Sequence, residues 1–252
     1  MENRFTTDFK VTFFETDIKG KITPGYLLAF FQDTAINHSE NLGYGIERLM
    51  EEKRGWAILN WHISVECMPG LSDELTVTTW CGKCGRHQAE RSFTINTEKG
   101  ELLACAVTNW AFIDLEKRKP AAIPQDMEEI FVSDIPSVME NEKYRIRRPA
   151  EEELTYVRSF RVERSDLDTN GHVNNTKYLV WAVDCVEDEI YDNYDIYDIK
   201  VTYRKEAKRG NEIVSEKAVY YDGNTVETVI YFTDKDEPQT IFAQISLGWK
   251  KR

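Results

Sequence analysis

The sequence is poor in cations, histidine, cysteine and uninterrupted apolar runs. In 252 residues, 32 Lys and Arg face 44 Asp and Glu, which leaves a formal net charge of −12. That balance argues against nucleic acid as the main partner, because binding a phosphate backbone needs a basic face. An acidic protein partner would have to meet a local basic segment, and the candidates are Arg145-Ile146-Arg147-Arg148 and Lys205 with Lys208-Arg209. No stretch approaches the roughly 18 consecutive apolar residues of a membrane span, and the first residues lack a basic region followed by an apolar run. Five cysteines, an odd number, fit reduced thiols better than a disulfide framework. The expected compartment is therefore the cytoplasm. Cys81-Gly82-Lys83-Cys84 has the spacing of a redox or zinc pair, but no second Cys/His pair follows at zinc-finger distance, and a strand-end turn is the simpler reading.

Core material is plentiful, at 41% hydrophobic and 12% aromatic, enough for one large domain or two ordinary ones. Phe5 to Phe14 is β-like and leads to Thr23-Pro24, where Thr caps a helix and Pro takes its first position. Gly25 to Ile36 is apolar nearly all round, the pattern of a helix enclosed by protein. Gly45 to Lys53 predicts a second, short helix. Four β-like runs follow, Trp56 to Cys67, Glu74 to Cys84, His87 to Thr97 and Glu101 to Asp114, bounded by Pro69-Gly70, Gly82 with Gly85, and Lys99-Gly100. Successive strands joined by such short turns are expected to pair antiparallel. Residues 116–153 hold four of the seven prolines with charge clusters and weak periodicity, which predicts a linker with a short helix near Gln125 to Phe131.

The pattern then begins again. Placing Phe9-Lys10-Val11 over Phe160-Arg161-Val162, an offset of 160 − 9 = 151, and holding it without a gap aligns Asp17 with Asp168, Gly20 with Gly171, Ile22 with Val173, Leu28 with Leu179 and Asp33 with Asp184. A second mostly apolar helix, Tyr178 to Val186, is again followed by four β-like runs, Ile196 to Lys205, Glu212 to Tyr221, Thr225 to Thr233 and Thr240 to Trp249. A period of half the chain reads as a duplicated domain and not a solenoid. Each half is expected to wrap a curved antiparallel sheet around one long central helix, an α+β arrangement with units at 1–115 and 154–252.

The chemically dense stretch is Asp168-Thr169-Asn170-Gly171-His172-Val173-Asn174-Asn175. Asp168, Asn170 and His172 alternate, so an extended or turning backbone would point them to one side, with Gly171 allowing a bend. The simpler alternative is a polar turn that starts a helix, with Asn174 or Asn175 as its N-cap. Comparison of the halves favours a site: Asp and Gly are shared, while Lys19 and Lys21 stand at the positions of Asn170 and His172. A catalytic water would need a base near neutral pH, and His172 or a buried carboxylate could serve. Glu206 is a candidate carboxylate, although taken alone, among Lys205, Lys208 and Arg209, it reads more readily as a solvated strand-end charge. Cys67, Cys105 and Cys185 read as small core residues, His38 as a helix-end residue, and His62 and His87 as strand residues.

Ser165 to Tyr178, with Trp181 after it, resembles the active-site signature of the acyl-acyl carrier protein (acyl-ACP) thioesterases. The likeness continues in Gln32 to His38, in Trp56 to Asp73 with Trp80, and in Tyr203-Arg204-Lys205-Glu206. The resemblance implies a tandem (double) hotdog fold and hydrolysis of a fatty acyl thioester on ACP, without metal or organic cofactor. It implies Asp168, Asn170, His172 and Glu206 as the catalytic set. Plant members carry Cys directly after that Glu, where this chain has Ala207, so a Cys nucleophile at that position is excluded. Water activated by Glu206, held by Asp168 and His172, with Asn170 donating to the thioester carbonyl, is the consistent reading; direct carboxylate attack through an anhydride stays open. The resemblance places the acyl slot in the first half, with Tyr26, Leu27, Phe30, Phe31, Trp56, Ile58 and Trp61 as candidate walls; as single residues they read more readily as ordinary core. The rivals are a hotdog acyl-CoA thioesterase and a non-catalytic fatty-acyl binding protein. Two fused hotdogs would supply internally the pairing that single hotdogs obtain by dimerising, and a homodimer of this chain also stays open.

Overall fold

The protein is described by a computed structural model covering residues 3–139 and 146–252. It divides into two compact units, residues 1–143 and 144–252. The first unit contains β1 (Phe5–Lys10), α1 (Pro24–Asn41), α2 (Ile46–Glu51), β2 (Arg54–Val65), β3 (Glu74–Cys84), β4 (Gln88–Thr97), β5 (Leu102–Asp114), β6 (Lys119–Pro120) and α3 (Gln125–Phe131). Its strands are antiparallel in the order β1-β3-β4-β5-β2, with the two-residue β6 added to β5. The second unit contains β7 (Thr155–Arg161), α4 (Asn175–Val183), α5 (Asp188–Asn193), β8 (Tyr194–Tyr203), β9 (Glu212–Asp222), β10 (Thr225–Asp234) and β11 (Ile241–Lys251). Its sheet runs β8-β11-β10-β9-β7, again antiparallel.

α1 starts where the sequence predicts. The Thr23 hydroxyl accepts from the Tyr26 amide at 3.4 Å and Pro24 occupies the first helical position, where a missing N–H costs nothing. The helix buries Leu27, Leu28, Phe30, Phe31, Thr34, Ala35 and His38. Phe31 closes on Trp61 of β2 and Phe93 of β4, with ring centroids 5.9 and 5.1 Å away. Each such fully buried aromatic contributes roughly 1.5–3 kcal/mol through lost contact with water. α4 is half as long, 9 residues against 18. The chain tightens after it through Cys185 N–H to Ala182 O (3.1 Å) and Val186 N–H to Val183 O (3.0 Å), so the apolar run to Val186 ends in a turn. α5 escaped the sequence reading because its acid- and Tyr-rich segment carries no apolar stripe.

One expectation is corrected. β2 and β3 are consecutive but do not pair, and neither do β8 and β9. The intervening segments cross to the far edge of each sheet and bond to the chain that follows its first strand. In the first unit Ile22 N–H donates to Pro69 O (2.8 Å), and Val11 exchanges bonds of 2.9 Å with Ser72 and Asp73. In the second, Val173 N–H donates to Ala207 O (2.9 Å), Val162 N–H to Asn211 O (2.9 Å), and Gly210 N–H to Val162 O (3.1 Å). Pro69-Gly70 therefore marks a crossing and not a hairpin. Of the stretch expected as a linker, β6 pairs with β5, while Met127 and Phe131 of α3 join Tyr44, Leu49, Cys81 and Phe112 in one buried cluster.

Candidate active site

The crossing of the second unit meets a tight turn that Asp168 builds. The Asp168 carboxylate accepts the amides of Asn170 (2.8 Å) and His172 (3.2 Å), and its own N–H donates to His172 O at 2.8 Å. Gly171 sits at φ +76°, a left-handed backbone that a β-carbon strains. The turn ends in α4, whose N-cap is Asn174: its side chain accepts from the Thr176 amide (3.0 Å) and hydroxyl (2.8 Å). Lys177 reaches back to Asp166 at 3.5 Å. The helix-start reading is thus true of Asn174, while His172 is free to face the crossing segment, where its backbone bridges Lys208.

There His172 Nε2 lies 3.2 Å from Glu206 Oε2. The two residues are separated by two helices and a strand, and the bond between Val173 and Ala207 brings them together. The imidazole is mostly covered (23% exposed) and the carboxylate half exposed (48%), so the pair has solvent on the Glu206 side. Asn170 is exposed at the tip of the turn. This arrangement supplies a carboxylate, an imidazole touching it and an amide donor nearby, the parts needed to activate water against a polarised carbonyl.

Tyr178, one turn into α4, was not singled out from sequence. It is buried, packs on Trp181, Tyr203 and Phe232, and its hydroxyl meets the backbone of Ala207. Burial pushes the phenol's pKa up, the Ala207 hydrogen bond opposes that, and Glu206 adds to the rise. Ala207 is consequently held by Val173 through its carbonyl and by Tyr178. Tyr203 adds a hydrogen bond to Asn175 O at 3.1 Å.

The first unit repeats this frame without the reactive side chains. Asp17 accepts the amides of Lys19 (2.8 Å) and Lys21 (3.1 Å), its N–H donates to Lys21 O (2.8 Å), and Gly20 has φ +67°. The bonded crossings correspond by 207 − 69 = 138, which puts Met68 opposite Glu206, since 206 − 138 = 68. Lys19, Lys21 and Met68 therefore stand where the second unit has Asn170, His172 and Glu206.

Of the candidate wall residues, Leu27, Phe30, Phe31 and Trp61 are buried, Trp56 packs on Phe112 at 4.9 Å, Ile58 is partly covered beside a register shift in β2, and Tyr26 is 41% exposed. Among the basic candidates, Arg145 lies outside the described residues. The Arg147 guanidinium stacks on Tyr220 at 4.5 Å, Arg148 and Arg204 both bear on Tyr231, and Lys205 reaches Glu237 at 3.9 Å. Lys208 and Arg209 are exposed on the crossing, Arg209 lining an open cleft with Arg161 and Glu163. Among the described residues no group of three or more His, Cys, Asp and Glu could hold a metal ion, and no helix is long and apolar enough to cross a membrane.

Two antiparallel sheets, each with its helix, define a tandem hotdog protein. The solved structures agree: the acyl-ACP thioesterase of Bacteroides thetaiotaomicron is 24% identical with a TM-score of 0.87 over 98% of both chains. The 12:0-ACP thioesterase of Umbellularia californica is 20% identical with a TM-score of 0.88 over 99% of this chain and 95% of its own. Residues 2–131 match the model of the acyl-ACP thioesterase N-terminal domain and residues 150–251 that of the C-terminal domain. The chain belongs to the acyl-ACP thioesterase family. Curated relatives include the chloroplastic acyl-[acyl-carrier-protein] hydrolase FATB3 of Cuphea viscosissima, 27% identical over 85% of this chain and 55% of that one. A second is the dodecanoyl-[acyl-carrier-protein] hydrolase of Umbellularia californica, 28% identical over 73% of this chain and 51% of its own. The chain spans about half the length of these relatives.

Proposed function

We propose that this protein hydrolyses fatty acyl-ACP thioesters, releasing the free fatty acid and holo-ACP and so ending chain elongation in fatty acid synthesis. The observation that carries the reading is the 3.2 Å contact between His172 and Glu206 within a turn whose first-unit counterpart has Lys21 and Met68. Glu206 takes a proton from water on its solvent side while the water oxygen attacks the carbonyl carbon. Asn170 donates to the carbonyl oxygen as it gains charge, and the proton passes to the departing pantetheine sulfur. His172 fixes the carboxylate, and Asp168 fixes the turn. A thioester is already activated, so orientation, one water and a polarised carbonyl suffice.

The acyl chain needs an apolar slot, and we assign it to the interior of the first unit, walled by Leu27, Phe30, Phe31, Trp56, Ile58 and Trp61 with Tyr26 at the surface. The acidic carrier would dock on the basic residues Arg147, Arg148, Lys205, Lys208 and Arg209, to which the arrangement around Tyr231 adds Arg204. The five free thiols support a reducing compartment such as the cytoplasm.

The test is release of free fatty acid from a chain-length series of acyl-ACPs and acyl-CoAs. Hydrolysis of acyl-ACP is expected; release from CoA substrates alone would overturn the carrier, and release from neither would leave a binding protein. Tyr178→Phe keeps the ring packing and removes the hydroxyl that holds Ala207. Its kcat is expected to fall about fivefold with KM unchanged, in line with one buried hydrogen bond of roughly 1 kcal/mol. An unchanged kcat would remove Tyr178 from the positioning of Glu206.

A further inference from the structure

Cys81 and Cys84, at the end of β3, play no part in the hydrolytic reading. Residues three apart on a regular strand point to opposite faces. Here the register against β4 shifts: Cys81 pairs with Arg91, Lys83 with Glu90, and Cys84 with Ala89. Gly82 is the extra residue of this bulge, and it returns both cysteines to one face, as their partners Arg91 and Ala89, two apart, require. The two thiols come within hydrogen-bonding reach of each other. Cys81 is buried at 2% exposure, and Cys84 sits at the rim, half covered.

Arg91, directly across from Cys81, is a buried cation at 7% exposure. Its guanidinium bonds the His38 Nδ1 (2.9 Å) and the Thr79 hydroxyl (3.4 Å) and lies 5.8 Å from the Phe131 ring centre. A guanidinium has only donors, so His38 must accept and stays neutral; burial first, then Arg91, lowers its pKa to about 3. Among the described residues no carboxylate pairs with Arg91, and the anion it favours is the Cys81 thiolate. The hydrogen bond with Cys84 and the charge of Arg91 pull the Cys81 thiol down, while burial and Glu90 oppose them. The same bond, with burial and Glu128, pushes Cys84 up. One sulfur is thus prepared as a nucleophile beside a more accessible partner.

We propose that Cys81 and Cys84 form a reversible dithiol–disulfide couple that exchanges with low-molecular-weight disulfides. The small disulfide RSSR reacts first at the rim: when the one proton the dithiol pair keeps passes across the S–H···S bond to Cys81, the Cys84 thiolate displaces RS⁻ and becomes a mixed disulfide, and that RS⁻ takes up the proton the pair had released. The Cys81 thiolate then attacks the Cys84 sulfur, forming the internal S–S bond and expelling the second RS⁻, which takes up the proton Cys81 had lost. Two protein thiols are oxidised and one RSSR is reduced to two RSH. Treating the protein with oxidised glutathione is expected to remove two of its five free thiols, with a mass loss of two hydrogens reversed by dithiothreitol. Peptide mapping should place the bond between residues 81 and 84. Cys84→Ser, at the rim and tolerant of the change, should abolish the loss, while a combined Cys67→Ser, Cys105→Ser and Cys185→Ser variant should retain it. A glutathione adduct on Cys84 that never resolves, or a two-hydrogen loss that survives Cys84→Ser, would overturn the couple.

Discussion

Glu206→Ala and His172→Ala are each expected to lose thioester hydrolysis by about 10²–10⁴-fold in kcat, the range of a positioned general base, while the protein stays folded. Neither side chain belongs to the core: Glu206 is 48% exposed and His172 23%. The turn depends on the backbone of His172, which bonds Asp168 through its amide and its carbonyl, and a methyl side chain leaves both bonds in place. Losing a contact this open to solvent alters stability by about 1 kcal/mol or less. Turnover and the thermal midpoint should therefore separate. Glu206→Gln sharpens the test, because the amide keeps the shape and a hydrogen bond to His172 but cannot take a proton from water. Near-normal turnover in Glu206→Gln would sink the general-base role, and unchanged rates in His172→Ala would remove the imidazole from the reaction.

The repeat explains how much of this was legible in the chain. Thr23-Pro24 and the apolar run behind it state α1 outright, since capping and φ restriction act locally. The offset of 151 was readable because Asp17 and Asp168 build the same turn with the same two amide bonds. The partnership of Glu206 and His172 could not come from that offset. Beyond the central helices the correspondence changes to 138, and holding 151 would set Glu206 against Gly55, since 206 − 151 = 55. Only the crossing segment, with Val173 bonded to Ala207, supplies the correct counterpart, Met68. The same crossings misled the strand pairing, because Pro69-Gly70 carries an ordinary turn signature while the Pro69 carbonyl accepts from Ile22, 69 − 22 = 47 positions earlier. Tyr178 was hidden for another reason: an aromatic on an apolar helix reads as core, and its hydroxyl acts on a backbone thirty residues away.

The two turns also allow Asp168 to be assigned by comparison with its own duplicate. Asp168→Ala removes an acceptor shared by two amides, and Asp17→Ala removes the matching acceptor in the first unit. At roughly 1 kcal/mol for each bond, both variants should lose about 1–3 kcal/mol of stability. Only Asp168→Ala should also lose turnover, by about 10–10³-fold, because only there does the turn aim an imidazole at a carboxylate. Asp168→Asn keeps an oxygen acceptor at the same place and is expected to retain most of both stability and rate. The measurements are unfolding free energy by denaturant and kcat on acyl-ACP for all three. Equal loss of turnover in Asp17→Ala would show that general loosening, and not local aim, explains the effect. A dead but stable Asp168→Asn would mean that the charge of Asp168 is itself used in the reaction, beyond its hold on the backbone of Asn170 and His172.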